Sequence, residues 1–434
     1  MPVLQARPPW RETFASLRVR NYRRFAGGNL LANTAVWMQR IAMDWLVLQL
    51  SGSVAAVGVT VFMQFTPMLV FGLYGGVIAD RYSKQRLLIV TQSVAACLAG
   101  VLAALTLTGV TQVWEVYLIS FLLGLVTVVD NPARQVFVNE LVGPKYLRNA
   151  ISLNSSIFQL GGLIGPAVGG VLITAVGGGW SFVINAVACL VVVATLCSLR
   201  RSELHASPAA PRGKGQLTEG IRYVRSKPVI FWSVVMVAIV AVFAFNMPVF
   251  LAAYANTVFD VGAQGYGLFN ALVAAGALAG ALASTRRTSV RLSMVVGTAA
   301  ALGLVQAVAG FAPSEVTFGL LLVGIGVGNL LFITAANSLV QMSSNVQIRG
   351  RVISLYILVL LGGQAIGGPL MGWVVEQEGP HVAMMISGVV PALAAIVVAV
   401  LIARTASLRL QFGLRGRRPV FAIVNRAGKS GAAL

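Results

Sequence analysis

The chain has 434 residues, 57% of them hydrophobic and only 10% charged, with a formal net charge of +20. A soluble domain carries about 25% charged residues, so this composition excludes a water-soluble globular protein and describes a polytopic membrane protein. The basic excess would suit a nucleic-acid partner, but its placement excludes one. On a twelve-span reading 31 of the 32 Lys and Arg fall on one side of the membrane, while the opposite loops hold Glu115, Asp260, Glu315, Glu376 and Glu378 and no base.

By the positive-inside rule that basic side is the cytoplasm and holds both termini; its charges face anionic lipid head groups. Residues 1–24 form a basic arm, where Pro8 and Pro9 oppose a helix at the start and no apolar core of a cleavable signal is readable. Apolar runs then begin near Phe25, Val54, Leu87, Val116, Ala150, Ser181, Val229, Tyr266, Leu292, Val316, Val352 and Val382. At ~20 residues per span they predict an all-α membrane protein of twelve transmembrane helices. The expected division is a bundle over 25–200, a linker over 201–228, a second bundle over 229–404 and a basic tail over 405–434.

Helix one, predicted over 25–50, carries Arg40 and Asp44, each costing ~2.5–3.5 kcal/mol at a helix centre on insertion scales. Four residues apart, they share a face, and Asn33 and Trp37 lie on the same stripe. This polar face is expected to point into the bundle. Between the second and third spans, Gly75–Arg86 reads GGVIADRYSKQR, an acid among three bases at a membrane face. Helix four is expected to bend or end at Asp130-Asn-Pro-Ala-Arg134, because proline removes a helical hydrogen bond. Helix five carries Gly161, Gly165, Pro166, Gly169 and Gly170; small residues at this spacing let two helices approach closely.

In the linker, HASPAAPRGKG reads as flexible, and QLTEGIRYVRSK, with Leu217, Ile221 and Val224 on one face, as an amphipathic helix at the membrane surface. Pro228 opens helix seven, which holds Asn246 and Pro248 near its middle. At an offset of 202 residues Gly124, Gly161, Gly165 and Gly170 fall on Gly326, Gly363, Gly367 and Gly372, and Ser152-Leu153 on Ser354-Leu355. The chain is therefore read as a parallel six-plus-six duplication. The tail, with six bases, is expected to lack regular structure.

Gly76, Asp80, Arg81, Lys84 and Arg86 resemble the hallmark G-x-x-x-D-R-x-G-R-R loop of the major facilitator superfamily of secondary transporters, with Ser83 where the family has glycine. WMQRIAMDWLVLQLSGS at 37–53, DNPARQ at 130–135, NAISLNS at 149–155, EGIRYVRSKP at 219–228 and RGRVISLY at 349–356 resemble one branch of it, the bacterial exporters similar to the enterobactin exporter and macrolide efflux proteins. The resemblance implies two pseudo-symmetric halves, alternating access and export. It also likens Gly161–Gly170 to the antiporter motif of drug exporters, with Ser152 at the place of a further upstream glycine. Ser120 stands where many proton-driven relatives have an arginine.

Two charged clusters each leave two readings open. Asp80, Arg81 and Lys84, with Asp130 and Arg134, form either a cytoplasmic latch that breaks on opening or charges that only set topology. Arg40 and Asp44 form either a proton-exchanging pair or a neutralised salt bridge that orients helix one. Burial favours the protonated form of a carboxyl group and a neighbouring cation opposes it, so such an acid can trade a proton as access alternates. Trp37 and the amides Asn33, Gln39, Gln64, Asn154, Asn246, Asn270, Asn329 and Gln364 are candidate cavity liners. With so few charges they suit an amphiphilic or aromatic substrate better than a sugar phosphate. Cys97, Cys189 and Cys197 form no readable disulfide framework, His205 and His381 lie in loops, and no phosphate-binding G-x-x-x-x-G-K-[ST] motif occurs. No enzyme activity, cofactor or metal is expected, and the chain is read as a monomer. The leading expectation is export of a drug, macrolide or siderophore by proton antiport. The alternatives are an uptake or facilitated-diffusion carrier for a metabolite, and a transporter of lipid or a lipid precursor.

Overall fold

The computed structural model describes residues 14–200, 203–205, 216–284, 290–345, 348–405, 408–415 and 418–425. In chain order they form α1 (Arg20–Ser51), α2 (Val54–Arg81), α3 (Lys84–Thr108), α4 (Val113–Val176), α5 (Gly179–Cys197), α6 (Gln216–Ser226), α7 (Pro228–Phe243), α8 (Met247–Ala253), a π turn at Tyr254–Val258, α9 (Gly262–Ser284), α10 (Leu292–Ala309), α11 (Glu315–Ser343), α12 (Arg349–Thr405), β1 (Leu408–Arg415) and β2 (Arg418–Asn425).

Among the described residues nine helices are long and apolar enough to cross a membrane, α7 and α8 counting as one. Two of the nine can cross twice: α4 has 64 residues and bends at Gly143, and α12 has 57 and bends at Gly379. With α1, whose Arg40 and Asp44 lower its apolarity, the crossings number twelve, in agreement with the expected all-α fold.

Both bends use the same local chemistry. Gly143 has φ 64° and Gly379 has φ 86°, a region that glycine enters without steric penalty, and each is followed by a proline that starts the next helix. This corrects the expected end of helix four. Pro132 lies inside α4 and the helix runs on past it to Gly143. One missing hydrogen bond is tolerated where neighbouring helices and polar side chains re-satisfy the backbone. A second correction concerns the tail, where β1 and β2 pair antiparallel with Phe412 opposite Phe421 and Leu410 opposite Ile423. The alternation of Leu408, Leu410, Phe412 and Leu414 with Arg409, Gln411 and Arg415 has the period of two that a strand needs.

The chain forms two compact units. The first comprises Met1–Gly213, Asn246–Ala275 and Gln364–Pro380; the second comprises Lys214–Phe245, Gly276–Gly363 and His381–Leu434. In the first, α1 packs on α4 and α5, α2 on α4, and α3 on α5. Glycines set these distances. A Cβ at Gly161 would sit 3.0 Å from Asn33 Cβ, one at Gly165 2.6 Å from the Thr34 carbonyl, and one at Gly169 3.0 Å from Met38 Cγ. Helices in lipid gain little from hydrophobic burial against each other, so close packing at small residues takes over.

The first unit is also tied by a buried polar network. Asp130 is only 7% exposed. Its Oδ1 accepts from Thr91 Oγ1 (2.8 Å) and Gln92 Nε2 (2.9 Å) of α3, and its Oδ2 from Arg134 Nε (2.9 Å). Arg134 in turn donates to Asn29 Oδ1 of α1 (2.7 Å), and Asn29 Nδ2 donates to Asn154 Oδ1 in the second half of α4 (2.7 Å). Every charged atom here meets a partner, which a charge away from water requires.

In the second unit α7 packs on α10 and α11. Span seven breaks at Asn246, and Gln306 of α10 donates to the freed Ala244 carbonyl (3.3 Å) and to Ser387 Oγ (2.7 Å). Gly363, the repeat mate of Gly161, meets Ala241 of α7 as Gly161 meets α1. α6 forms the expected amphipathic helix; its Glu219 pairs with Arg351, and Tyr223 Oη accepts from the Asn345 amide (3.2 Å).

Gly165→Leu should lower thermal stability in detergent and cut folded yield, because the side chain must push back α1 backbone at an overpacking cost of ~1–3 kcal/mol or more. Gly100→Ala, where a Cβ meets nothing within 4 Å, should be neutral in the same melt. Arg134→Met should destabilise by ~3–5 kcal/mol by stranding the Asp130 charge, and adding Asp130→Asn should restore part of the loss, read as unfolding midpoints of the purified variants.

Candidate functional site

The polar stripe of α1 is organised differently from a salt bridge. Among the described residues no ion pair joins Arg40 to Asp44. Arg40 Cζ instead lies 5.1 Å from the centroid of the Trp37 ring, where a guanidinium is attracted to the ring face. Trp37 is held in turn by an edge contact with Phe158 (5.6 Å). Asp44, 9% exposed, takes its hydrogen bond from a distant span: Tyr266 Oη donates to Asp44 Oδ2 at 3.1 Å.

Several local features bring Tyr266 there. Gly262 opens α9 with φ 61°. One residue past Tyr266, Gly267 lies so close to Gly170 of α4 that a Cβ on it would fall 2.6 Å from the Gly170 Cα. The two helices therefore meet backbone to backbone, and the tyrosine is delivered to α1. Its ring stacks on Trp45 (5.8 Å between centroids, 26° between planes), and it is fully buried. Asp44 lies seven residues before the end of α1, ~10 Å along the axis at ~1.5 Å per residue, near the end of the spans away from the basic loops.

That distal end holds further contacts within the first unit. Glu376 Oε1 accepts from Ser53 Oγ and from the Ala55 amide (3.2 Å), capping the start of α2 with a carboxylate, which favours the positive end of the helix dipole. A Cβ on Gly368 would lie 2.7 Å from the Gly58 carbonyl, and one on Gly372 2.8 Å from Ala55 Cα.

The other predicted liners scatter. Gln39 is a packing amide: Asn185 Nδ2 donates to its Oε1 (2.6 Å) and its own Nε2 points to Met43 Sδ (3.6 Å). Asn154 belongs to the Asp130 network. Asn270 donates back to the Tyr266 carbonyl (2.9 Å). Asn246 is buried at the break in span seven, and Asn33, Gln64 and Gln364 are half-buried. Asn329 Oδ1 is buried with no hydrogen-bond partner among the described residues.

The loop cluster divides. Asp80 occupies the last turn of α2, but its side chain lies outside the described residues. Gly76 is half-buried with open space beside it, Arg81 is exposed and Lys84 begins α3. Asp130 and Arg134, grouped with these charges from the sequence, face inward and pair with each other at 2.9 Å. Gly161, Gly165, Pro166, Gly169 and Gly170 are all buried in helix contacts. Sequence reasoning missed Tyr266, Glu376 and the partners of Asp130, namely Thr91 and Gln92; the one available signal was a lone tyrosine in the small-residue run GAQGYGLFNALVAAG.

A family model described as transmembrane secretion effector matches residues 11–411. The chain is 24% identical over 356 residues to the enterobactin exporter EntS of Salmonella choleraesuis, covering 80% of this chain and 84% of that one. It is 28% identical over 174 residues to the staphyloferrin A transporter of Staphylococcus aureus, a match that spans 40% of this chain and less than half, 44%, of that relative. The multidrug efflux pump Tap of Mycolicibacterium fortuitum is 26% identical over 198 residues, 44% of this chain and 48% of Tap. Among solved structures, a bacterial homologue of the human lysosomal transporter Spinster, inward-facing and occupied, aligns with a TM-score of 0.70 at 17% identity over 89% of this chain and 97% of that one. A D-xylose–proton symporter aligns with a TM-score of 0.65 at 14% identity over 88% and 97%; both share the fold. The chain is thus a multi-pass membrane transporter, and it belongs to the transmembrane secretion effector family of the major facilitator superfamily.

Proposed function

We propose that this transporter exports a hydrophobic or amphiphilic small molecule of the drug, macrolide or siderophore class across a bacterial inner membrane, by alternating access and in exchange for protons. Both termini lie in the cytoplasm and the protein works as a monomer. The observation that carries the reading is Asp44: an acid within a span that is held by a neutral hydroxyl rather than by the neighbouring arginine. An ion pair on the same helix would oppose protonation in every state, whereas a hydroxyl borne by another span opposes it only while the two spans are docked. The names of the relatives, two exporters of a siderophore and of drugs, support the substrate class.

The chemistry runs as follows. A proton from outside neutralises Asp44, and the protein returns carrying that proton across, while Arg40 keeps its charge against the Trp37 ring. Release of that proton inside restores the carboxylate, and a substrate enters beside the Trp37–Arg40 face. At the cytoplasmic face Asp80, Arg81 and Lys84 form the latch that holds the outward-open state.

Cells carrying the protein should accumulate less of a labelled siderophore, macrolide or amphiphilic dye than cells without it, and a proton uncoupler should remove the difference. Asp44→Asn should abolish gradient-driven efflux while leaving downhill exchange; efflux that still follows the pH gradient removes Asp44 from the mechanism. Asp80→Asn should slow transport at least tenfold with substrate affinity within about twofold of the parent, and an equal loss of affinity refutes the latch.

A further inference from the structure

We propose that Tyr266 is the positioning residue that links the ionisation of Asp44 to closure of the distal end of the spans. The proposal rests on the reading of Asp44 as the proton carrier and adds how the site releases its proton on one side only. Tyr266 and Asp44 are 222 residues apart in sequence and lie on different sequence halves, α9 and α1. Their hydrogen bond exists only while α9 is seated against α1 and α4. The same seating presses Gly267 onto Gly170 and stacks Tyr266 on Trp45. The ring is fully buried, and its hydroxyl has an acid for a partner.

A hydroxyl aimed at a carboxylate oxygen favours the anion over the acid, and a hydrogen bond to an ionised acceptor is about twice as strong as one between neutral groups. Docking of Tyr266 and loss of the Asp44 proton therefore favour each other. With the distal end parted, Asp44 lacks its donor and takes a proton from that side. With it closed, Tyr266 stabilises the carboxylate, and the proton leaves to water on the opposite side. Tyr266 keeps its own proton throughout. The charged or titratable groups that face the Asp44 carboxyl among the described residues are Arg40 from its own helix and Tyr266 from α9; α2, α4, α5 and α8, which pack on α1, send it none. Arg40 stays on α1 in either state, engaged with Trp37, so it cannot report closure. Tyr266 can.

The test needs no substrate. In a background carrying Cys97→Ala, Cys189→Ala and Cys197→Ala, Ala263→Cys places a thiol at the contact with Gly170, where Ala263 is 8% exposed. Its rate of reaction with a bulky charged maleimide is measured on the purified full-length protein in detergent from pH 5 to pH 9. Each rate is divided by that of Thr257→Cys, an exposed position, to remove the pH dependence of the reagent. The parent should label about tenfold faster at acid than at alkaline pH, the size of one charge-assisted hydrogen bond. Tyr266→Phe should label at the fast rate throughout, with the pH dependence lost, and so should Asp44→Asn. A purely structural role for the ring would raise or lower the rates and leave the pH profile in place.

A Tyr266→Phe profile that keeps the parent's pH dependence overturns the link. So does a flat profile in the parent, which decides the matter even where the Phe variant does not fold. Neither result touches the proton reading, which stands or falls separately on whether Asp44→Asn uncouples efflux from the pH gradient.

Discussion

A carboxylate in hydrocarbon has to find its solvation inside the protein, and this chain solves that problem twice in opposite ways. Asp130 is saturated: Thr91, Gln92 and Arg134 occupy both of its oxygens, and Arg134 passes the network on to Asn29 and Asn154. Such a site ties α1, α3 and both halves of α4 together. Asp44 has a single hydrogen bond among the described residues, from a neutral hydroxyl. The first arrangement ties the bundle together, and the second holds its acid by one bond from a distant span. The two acids differ in their number of donors and hardly in their burial.

The same economy of contacts governs the helices. No water is available to fill a loose interface in lipid, and apolar side chains gain little by meeting each other there, so spans are held by backbone approach at glycine. Gly161, Gly165 and Gly169 set the distance from α4 to α1, and Gly58 with Gly368 and Gly170 with Gly267 set contacts at the distal end. The repeat is visible in this packing. Gly161 meets span one, and its mate Gly363 meets span seven; Gly170 meets span eight, and its mate Gly372 meets span two. Contacts made by bare backbone can part and re-form without threading side chains past one another. Directional bonds such as those of Glu376 to Ser53 and Ala55 add to these contacts at the distal end.

The amino-acid sequence by itself determined the class, the number of spans and the duplication, because each of these follows from local composition. Apolar run length counts spans, charge placement sorts loops, and glycine spacing repeats with the fold. It also singled out Asp44, since an acid in an apolar run is conspicuous without any coordinates. It could not choose the partner of that acid. Arg40 is four residues away on the same face, and only the tertiary structure turns it onto Trp37 and brings Tyr266 from a span more than two hundred residues later. The inward turn of Asp130, the capping of α2 by Glu376 and the use of Gln39 as a packing amide were hidden for the same reason. A helix sequence gives the faces of its own residues at a fixed period, whereas the element lying against each face is decided by how all the spans pack.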